Sequence, residues 1–259
     1  MYLKRKIDDF LIKWKEDINR KPLIVKGARQ IGKTESIMHF ANANYTSVIY
    51  INFALDKRFI KIAEDGYDVN TIVKNISLIN PSFKFVQGNT IIVFDEIQEY
   101  PDIATALKSF RIDGRYDVIC SGSMLGINYR KIHSNSVGNK TDYEMFSMDF
   151  EEFLWAKGYD NTQIYNILEH MTAMRPFGET ELSVYKALFF DYCVLGGMPD
   201  VVKGYIESGT FQASSDIQNQ IRLDYEEDVR KYAQGLDQTK IISVYRLSLI
   251  HISEPTRPY

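Results

Sequence analysis

One stretch constrains this chain more than any other: Gly27-Ala28-Arg29-Gln30-Ile31-Gly32-Lys33-Thr34, which has the pattern GxxxxGKT. The apolar run at 22–25 before it reads as a short strand, and a helix of about ten residues is expected after Lys33. A glycine-rich loop between a strand and a helix places the chain among α/β folds and excludes an all-helical or all-β architecture for this part. The physical sense of the pattern is direct. Glycines let the backbone wrap close to a phosphate, and the loop N–H groups converge as an anion nest. The helix N-terminus adds positive dipole character. Lys33 supplies a point charge for β- and γ-phosphates, and Thr34 offers a hydroxyl to Mg²⁺. Gly27, Ala28, Arg29, Gln30, Ile31, Gly32, Lys33 and Thr34 are therefore the candidate nucleotide-binding residues.

Further strands are expected at 47–51, 91–94, 116–120 and 143–148. Continuous apolar strands separated by helical segments imply a central parallel sheet covered on both faces. Before the loop, Ile7, Phe10, Leu11, Trp14 and Ile18 recur at helical spacing. Asp149 with Glu152 forms a capping box opening another helix. Beyond about residue 158 the β signals stop, and 160–246 reads as helices broken at Gly196-Gly197-Met198-Pro199 and near Gly209. The expected fold is thus a P-loop α/β domain over 1–158 followed by a helical extension over 159–246.

The chain has 259 residues, with Lys plus Arg 31 against Asp plus Glu 34, a formal charge of -3. That balance makes no global case for nucleic-acid binding. Cys120 and Cys193 form no CxxC pair and no disulfide framework, which fits a reducing compartment and, by default, the cytoplasm. No run of about eighteen apolar residues predicts a membrane span, and the basic start MYLKRKIDDF lacks the apolar run of a secretory signal.

Asp95 and Glu96 close the third expected strand, about 60 residues after the loop. Ligands of open α/β sheets bind at that strand edge. There Asp95 would hold Mg²⁺, and Glu96 would orient or deprotonate an attacking water. Ser121, with Ser123 second, would contact the γ-phosphate or that water; a simple Ser/Gly turn is the alternative. Asn139-Lys140-Thr141-Asp142 matches a guanine-reading NKxD motif, but the residues before it are not a strand, so GTP specificity is not expected. Arg29, inside the loop, would reach nucleotide or brace neighbouring acidic groups, and Arg111, Arg115 and Arg130 are candidates for an arginine finger or for ordinary surface charge. Arg130-Lys131 with His133 reads as a solvated loop, and Trp14 and Trp155 as core.

The ordered motifs KGARQIGKT, VFDEIQ, CSGSMLG, MDFEEFLWAKG and LGGMPDVV resemble a group of prokaryotic AAA-type P-loop ATPases with a C-terminal domain of unknown function. The resemblance spans essentially residues 3–246. It implies that Gly27, Gly32, Lys33 and Thr34 bind ATP and Mg²⁺, that Asp95 and Glu96 form the second acidic motif, and that Ser121 falls near the sensor position. Gly196–Pro199 matches a Gly-Gly-x-Pro turn of the group, and 224–232 resembles the opening of the C-terminal domain, which is expected to be almost wholly missing. Where the group has an arginine before the fifth strand, this chain has Lys140. The expected function is Mg²⁺-dependent ATP hydrolysis coupled to a conformational change. A nucleotide-gated interaction module with little turnover and a DNA-associated ATPase are the alternatives. A protein or DNA partner would act through the C-terminal domain, and oligomerisation stays open. Residues 247–259, LSLIHISEPTRPY, resemble a translated sequencing adapter and are read as a non-native tail.

Overall fold

A computed structural model of the chain describes residues 1–123, 138–232 and 237–253. Its centre is a sheet of five parallel strands: β1 (Leu23–Gly27), β2 (Ser47–Asn52), β3 (Thr90–Asp95), β4 (Asp117–Ser123) and β5 (Thr141–Glu144), in the order β2-β3-β4-β1-β5. The parallel α/β architecture expected from the apolar runs is the one observed. The bounds differ most at the last two strands. The fourth strand continues through Ser123, because its last residues pair with β1 as far as Gly27 opposite Ser123. The fifth lies at Thr141–Glu144 rather than 143–148, set by pairing of Leu23 with Thr141.

Alternation along the strands decides which helix each side chain meets. On one face, Leu23, Val25, Ile91, Val93 and Ile119 pack with Ile7, Leu11 and Trp14 of α1 (Lys6–Glu16) and with Ile37 and Phe40 of α2 (Lys33–Asn44). On the other, Ile24, Ile49, Ile51, Ile92, Phe94 and Val118 pack with Ile72 and Ile76 of α3 (Val69–Ile79) and Ile103, Leu107 and Phe110 of α4 (Ile103–Asp113). The N-terminal helix stops at Glu16, and Ile18, which fits its period, lies beyond it and is 89% exposed.

After the sheet come α5 (Phe150–Ala156), α6 (Asn161–Thr172), α7 (Glu179–Leu195) and α8 (Pro199–Ser208), then α9 (Phe211–Tyr232) and α10 (Gln238–Ser253). The capping box is present: the Glu152 amide donates to Asp149 Oδ1 at 3.0 Å and the Asp149 amide to Glu152 Oε2 at 3.2 Å. Trp14 is core, but Trp155 is only half-buried, with its indole N–H on Asn161 and Lys4 above its ring. On α6 and α7, Tyr165, Met171, Leu182, Phe189 and Phe190 are all exposed. No helix of the described residues is long and apolar enough to cross a membrane.

The chain divides into two compact units, residues 1–203 and 204–259. In the second, Tyr205 stacks on Phe211 and a buried Glu226 pairs with Arg222 of α9 and Arg246 of α10. In the first, the Gly196–Pro199 turn separates α7 from α8 and docks on the backbone that follows β5. The Met148 amide donates to Gly197 O at 2.7 Å, and the Tyr192 hydroxyl donates to Met148 O at 3.0 Å. A Cβ on Gly197 would lie 2.1 Å from Met148 O. Backbone cannot move aside as a side-chain tip can, so Gly197→Ala is expected to cost about 1–3 kcal/mol. A lowered urea midpoint with an unchanged m-value would register it.

Candidate functional site

The site is assembled at the C-terminal edge of the sheet, on the face covered by α1 and α2. Two left-handed residues bend the loop between β1 and α2: Gln30, with φ +62, and Gly32, with φ +87, the residue before the first turn of α2. Glycine is required at Gly32 by that conformation and at Gly27 by crowding. A Cβ on Gly27 would meet Met145 O at 2.2 Å and Ile31 Cδ1 at 2.6 Å. Ile31 itself is buried and packs into the core, which anchors the loop from within. Lys33 folds back so that its Nζ donates to Gly27 O at 3.1 Å and Ala28 O at 2.5 Å. Burial pulls its pKa below the ordinary lysine value, against the opposing pull of Glu96 and Asp95. An ammonium bonded to loop carbonyls can exchange them for the oxygens of an anion.

Asp95 is 3% exposed and collects donors from every element around it. Its Oδ2 accepts from Thr34 Oγ1 at 3.0 Å, from the Tyr50 hydroxyl at 2.7 Å and from Asn52 Nδ2 at 3.2 Å. Its Oδ1 accepts from the buried Ser121 hydroxyl and from the Glu96 amide at 3.0 Å. The strand period explains this convergence. Asp95 lies two residues after Val93, Ser121 two after Ile119, and Tyr50 and Asn52 alternate with Ile49 and Ile51, so all four share the α2 face. Desolvation raises the Tyr50 pKa to about 12, so it is a reliable proton donor.

Glu96 adopts a left-handed conformation, φ +55, immediately after β3, and its Oε2 accepts from the Gln98 amide. A non-glycine residue held there is strained, and such strain clusters at functional sites. Ser123, paired with Gly27, is 2% exposed, and its hydroxyl has no hydrogen-bond partner among the described residues. Sequence reasoning preferred Ser121, whose hydroxyl is taken by Asp95; Ser123 is the one of the pair left available beside the loop.

The chemistry of these donors fits Mg²⁺. Thr34 and Asp95 are hard oxygen groups within hydrogen-bond distance of one another. Among the described residues no group of three or more His, Cys, Asp or Glu could cage a metal. A cation bound by few protein oxygens and completed by phosphates and water is how Mg²⁺ is usually held.

Other sequence candidates lie elsewhere. Thr141 and Asp142 of the NKxD match stand at the start of β5, opposite Leu23 and Ile24, which is the far edge of the sheet from the loop. Lys140 pairs there with Asp142, as does Lys26. Arg111 donates to Gly138 O and Asn139, and Arg115 pairs with Asp113. Arg130, Lys131 and His133 lie outside the described residues.

The residue that sequence reasoning missed most completely is Arg5. It is 4% exposed and reaches three ways: to Ile31 O at 2.7 Å, to Phe146 O at 2.7 Å and to the Glu152 carboxylate at 3.1 Å. It thus ties the phosphate loop to the exit of β5 and the start of α5. Glu152 also accepts from the Lys6 amide at 2.7 Å. Arg5→Met would strand a buried carboxylate and a loop carbonyl, and a loss of about 3–5 kcal/mol is expected from breaking such a pair on one side. Chemical denaturation of the variant against the parent measures it.

A family model described as an AAA domain matches residues 19–154. A second, described as "Domain of unknown function (DUF8612)", matches residues 186–255. The second match begins within α7, before the 224–232 stretch expected to open a C-terminal domain. It also takes in part of the 247–259 segment. "Uncharacterized protein MJ1544" of Methanocaldococcus jannaschii is 26% identical over 185 residues, 71% of this chain and 37% of that protein, so the chain spans little more than a third of this relative's length. Among solved structures, C. elegans PCH-2 is similar with a TM-score of 0.42 at 10% identity, over 83% of this chain and 61% of that one. Two variants of Thermotoga maritima RuvB give 0.39 at 14% identity, over 59% and 49%, and 0.39 at 13%, over 58% and 48%.

Proposed function

The chain belongs to the AAA domain family, and from that premise we propose that it binds ATP with Mg²⁺ and hydrolyses it to ADP and phosphate. The observation that carries this reading is the convergence of the loop lysine, the Thr34 hydroxyl and the buried Asp95 carboxylate at one sheet edge, with Glu96 held beside them.

The loop amides and the α2 dipole bind the triphosphate, and Lys33 leaves the Gly27 and Ala28 carbonyls for its terminal oxygens. Thr34 and Asp95 would hold Mg²⁺, which supplies charge neutralisation at the β- and γ-phosphates. Glu96 accepts a proton from water as the water oxygen bonds to the γ-phosphorus and the bond to the β–γ bridging oxygen breaks. The free hydroxyl of Ser123 donates to the γ-phosphate or orients that water, while Ser121 keeps Asp95 in place. Arg5 carries loop movement to α5, because the same guanidinium holds Ile31 O and Glu152; this is the route by which turnover would reach the helical extension.

A second reading has support from Gln98. Its amide occupies Glu96, and a glutamate kept in that grip would leave a nucleotide-gated interaction module with little turnover. Two variants separate the readings. Lys33→Ala is expected to weaken ATP binding about 10- to 100-fold, the worth of a charge-assisted contact. Glu96→Gln is expected to keep binding and to lower phosphate release about 10²- to 10⁴-fold. Parent protein that binds ATP but releases no more phosphate than Glu96→Gln would decide for the gated module. Ser123→Ala is expected to slow release with affinity unchanged, a split read directly from kcat and KM.

A further inference from the structure

We propose that Tyr50 is a removable plug on Asp95, and that its hydroxyl sets how much Mg²⁺ the nucleotide site needs; this rests on the ATP reading above. Five donors reach one carboxylate, three of them on Oδ2. A carboxylate has about four lone-pair sites over both oxygens, two on each. Oδ2 is therefore more than full. A hard cation needs one of its lone pairs, directly or through a coordinated water that donates to it. At least one present donor must withdraw.

The geometry says which. Ser121 and the Glu96 amide sit on the other oxygen. Thr34 can turn a lone pair toward the cation while its O–H still points at Asp95. Asn52 has the longest of the three contacts, 3.2 Å, and it is tethered: its Oδ1 accepts from the Ala54 and Leu55 amides at 2.9 and 3.0 Å. Tyr50 has the shortest, 2.7 Å, and among the described residues its hydroxyl is otherwise held by the Asn52 amide at 3.2 Å. That amide donates to the phenol oxygen and can stay with it when the O–H turns away from Asp95. Phenol and cation thus compete for one lone pair, and the site accepts metal only when the phenol yields. Tyr50 acts through Asp95 and is a positioning residue.

The test follows binding of a fluorescent ATP analogue to the full chain, first with divalent ions chelated and then as Mg²⁺ is raised. In Tyr50→Phe the half-saturating Mg²⁺ is expected to fall about three- to tenfold, the worth of one hydrogen bond, with metal-free binding unchanged. Tyr50→Met, which fills the same place without a hydroxyl, should shift it the same way. A half-saturation that is unchanged or higher in both variants overturns the plug and leaves the ATP reading standing. Variants that move in opposite directions also overturn it. No analogue binding by the parent, with or without Mg²⁺, overturns both.

Discussion

The carboxylate of Asp95 is where the sheet, the loop helix and the proposed chemistry meet. A charged group so deeply buried is tolerated only when its oxygens are satisfied. Here β2 gives Tyr50 and Asn52, β4 gives Ser121, and α2 gives Thr34. The strands that supply those donors must sit side by side for this to work, and the order β2-β3-β4-β1 puts them there. The proposed nucleotide and metal sites and the integrity of the sheet edge therefore rest on one arrangement with one centre.

A second buried charge holds the other side of the loop. Arg5 and Glu152 lie far apart in sequence, and both are almost wholly enclosed. Such a pair is poor value as stabilisation against an apolar substitute. Its use here is geometric: one planar cation donates to the loop and to the exit of β5 and pairs its charge with the first turn of α5, which no apolar side chain could do.

Much of this was legible in the residues, and the rest was hidden for definable reasons. The loop, Lys33, Thr34, Asp95 and Glu96 announce themselves because their spacing is dictated by local strand–loop–helix geometry. The helical breaks at Gly196–Pro199 and Gly209 appear as punctuation that no helix interior accommodates. Tyr50 and Asn52 were not found, although the alternation of SVIYIN already puts them on one face. Which face, and beside which strand, follows only from pairing with β3, and strand order is not a local property. Arg5 looked like part of a basic start because its partners lie in the loop and at 146–152. Ser121 and Ser123 are chemically alike and share a face, so only the finding that one hydroxyl is engaged and the other is not separates them.

The strand that carries Asp95 is apolar toward both faces, and all six of its residues are buried. Its interior, Ile91-Ile92-Val93-Phe94, would bury nearly as much oily surface if it slid one place along its neighbours, so hydrophobicity does not set its alignment. The two polar ends do. Thr90 fastens one end by accepting from the Val86 amide at 2.7 Å, and Asp95 fastens the other through its ring of donors. A slip would swing the acid to the wrong side and leave four groups on neighbouring elements unanswered. The carboxylate proposed to serve the chemistry is thus also the detent that keeps its own strand from misthreading as the chain folds.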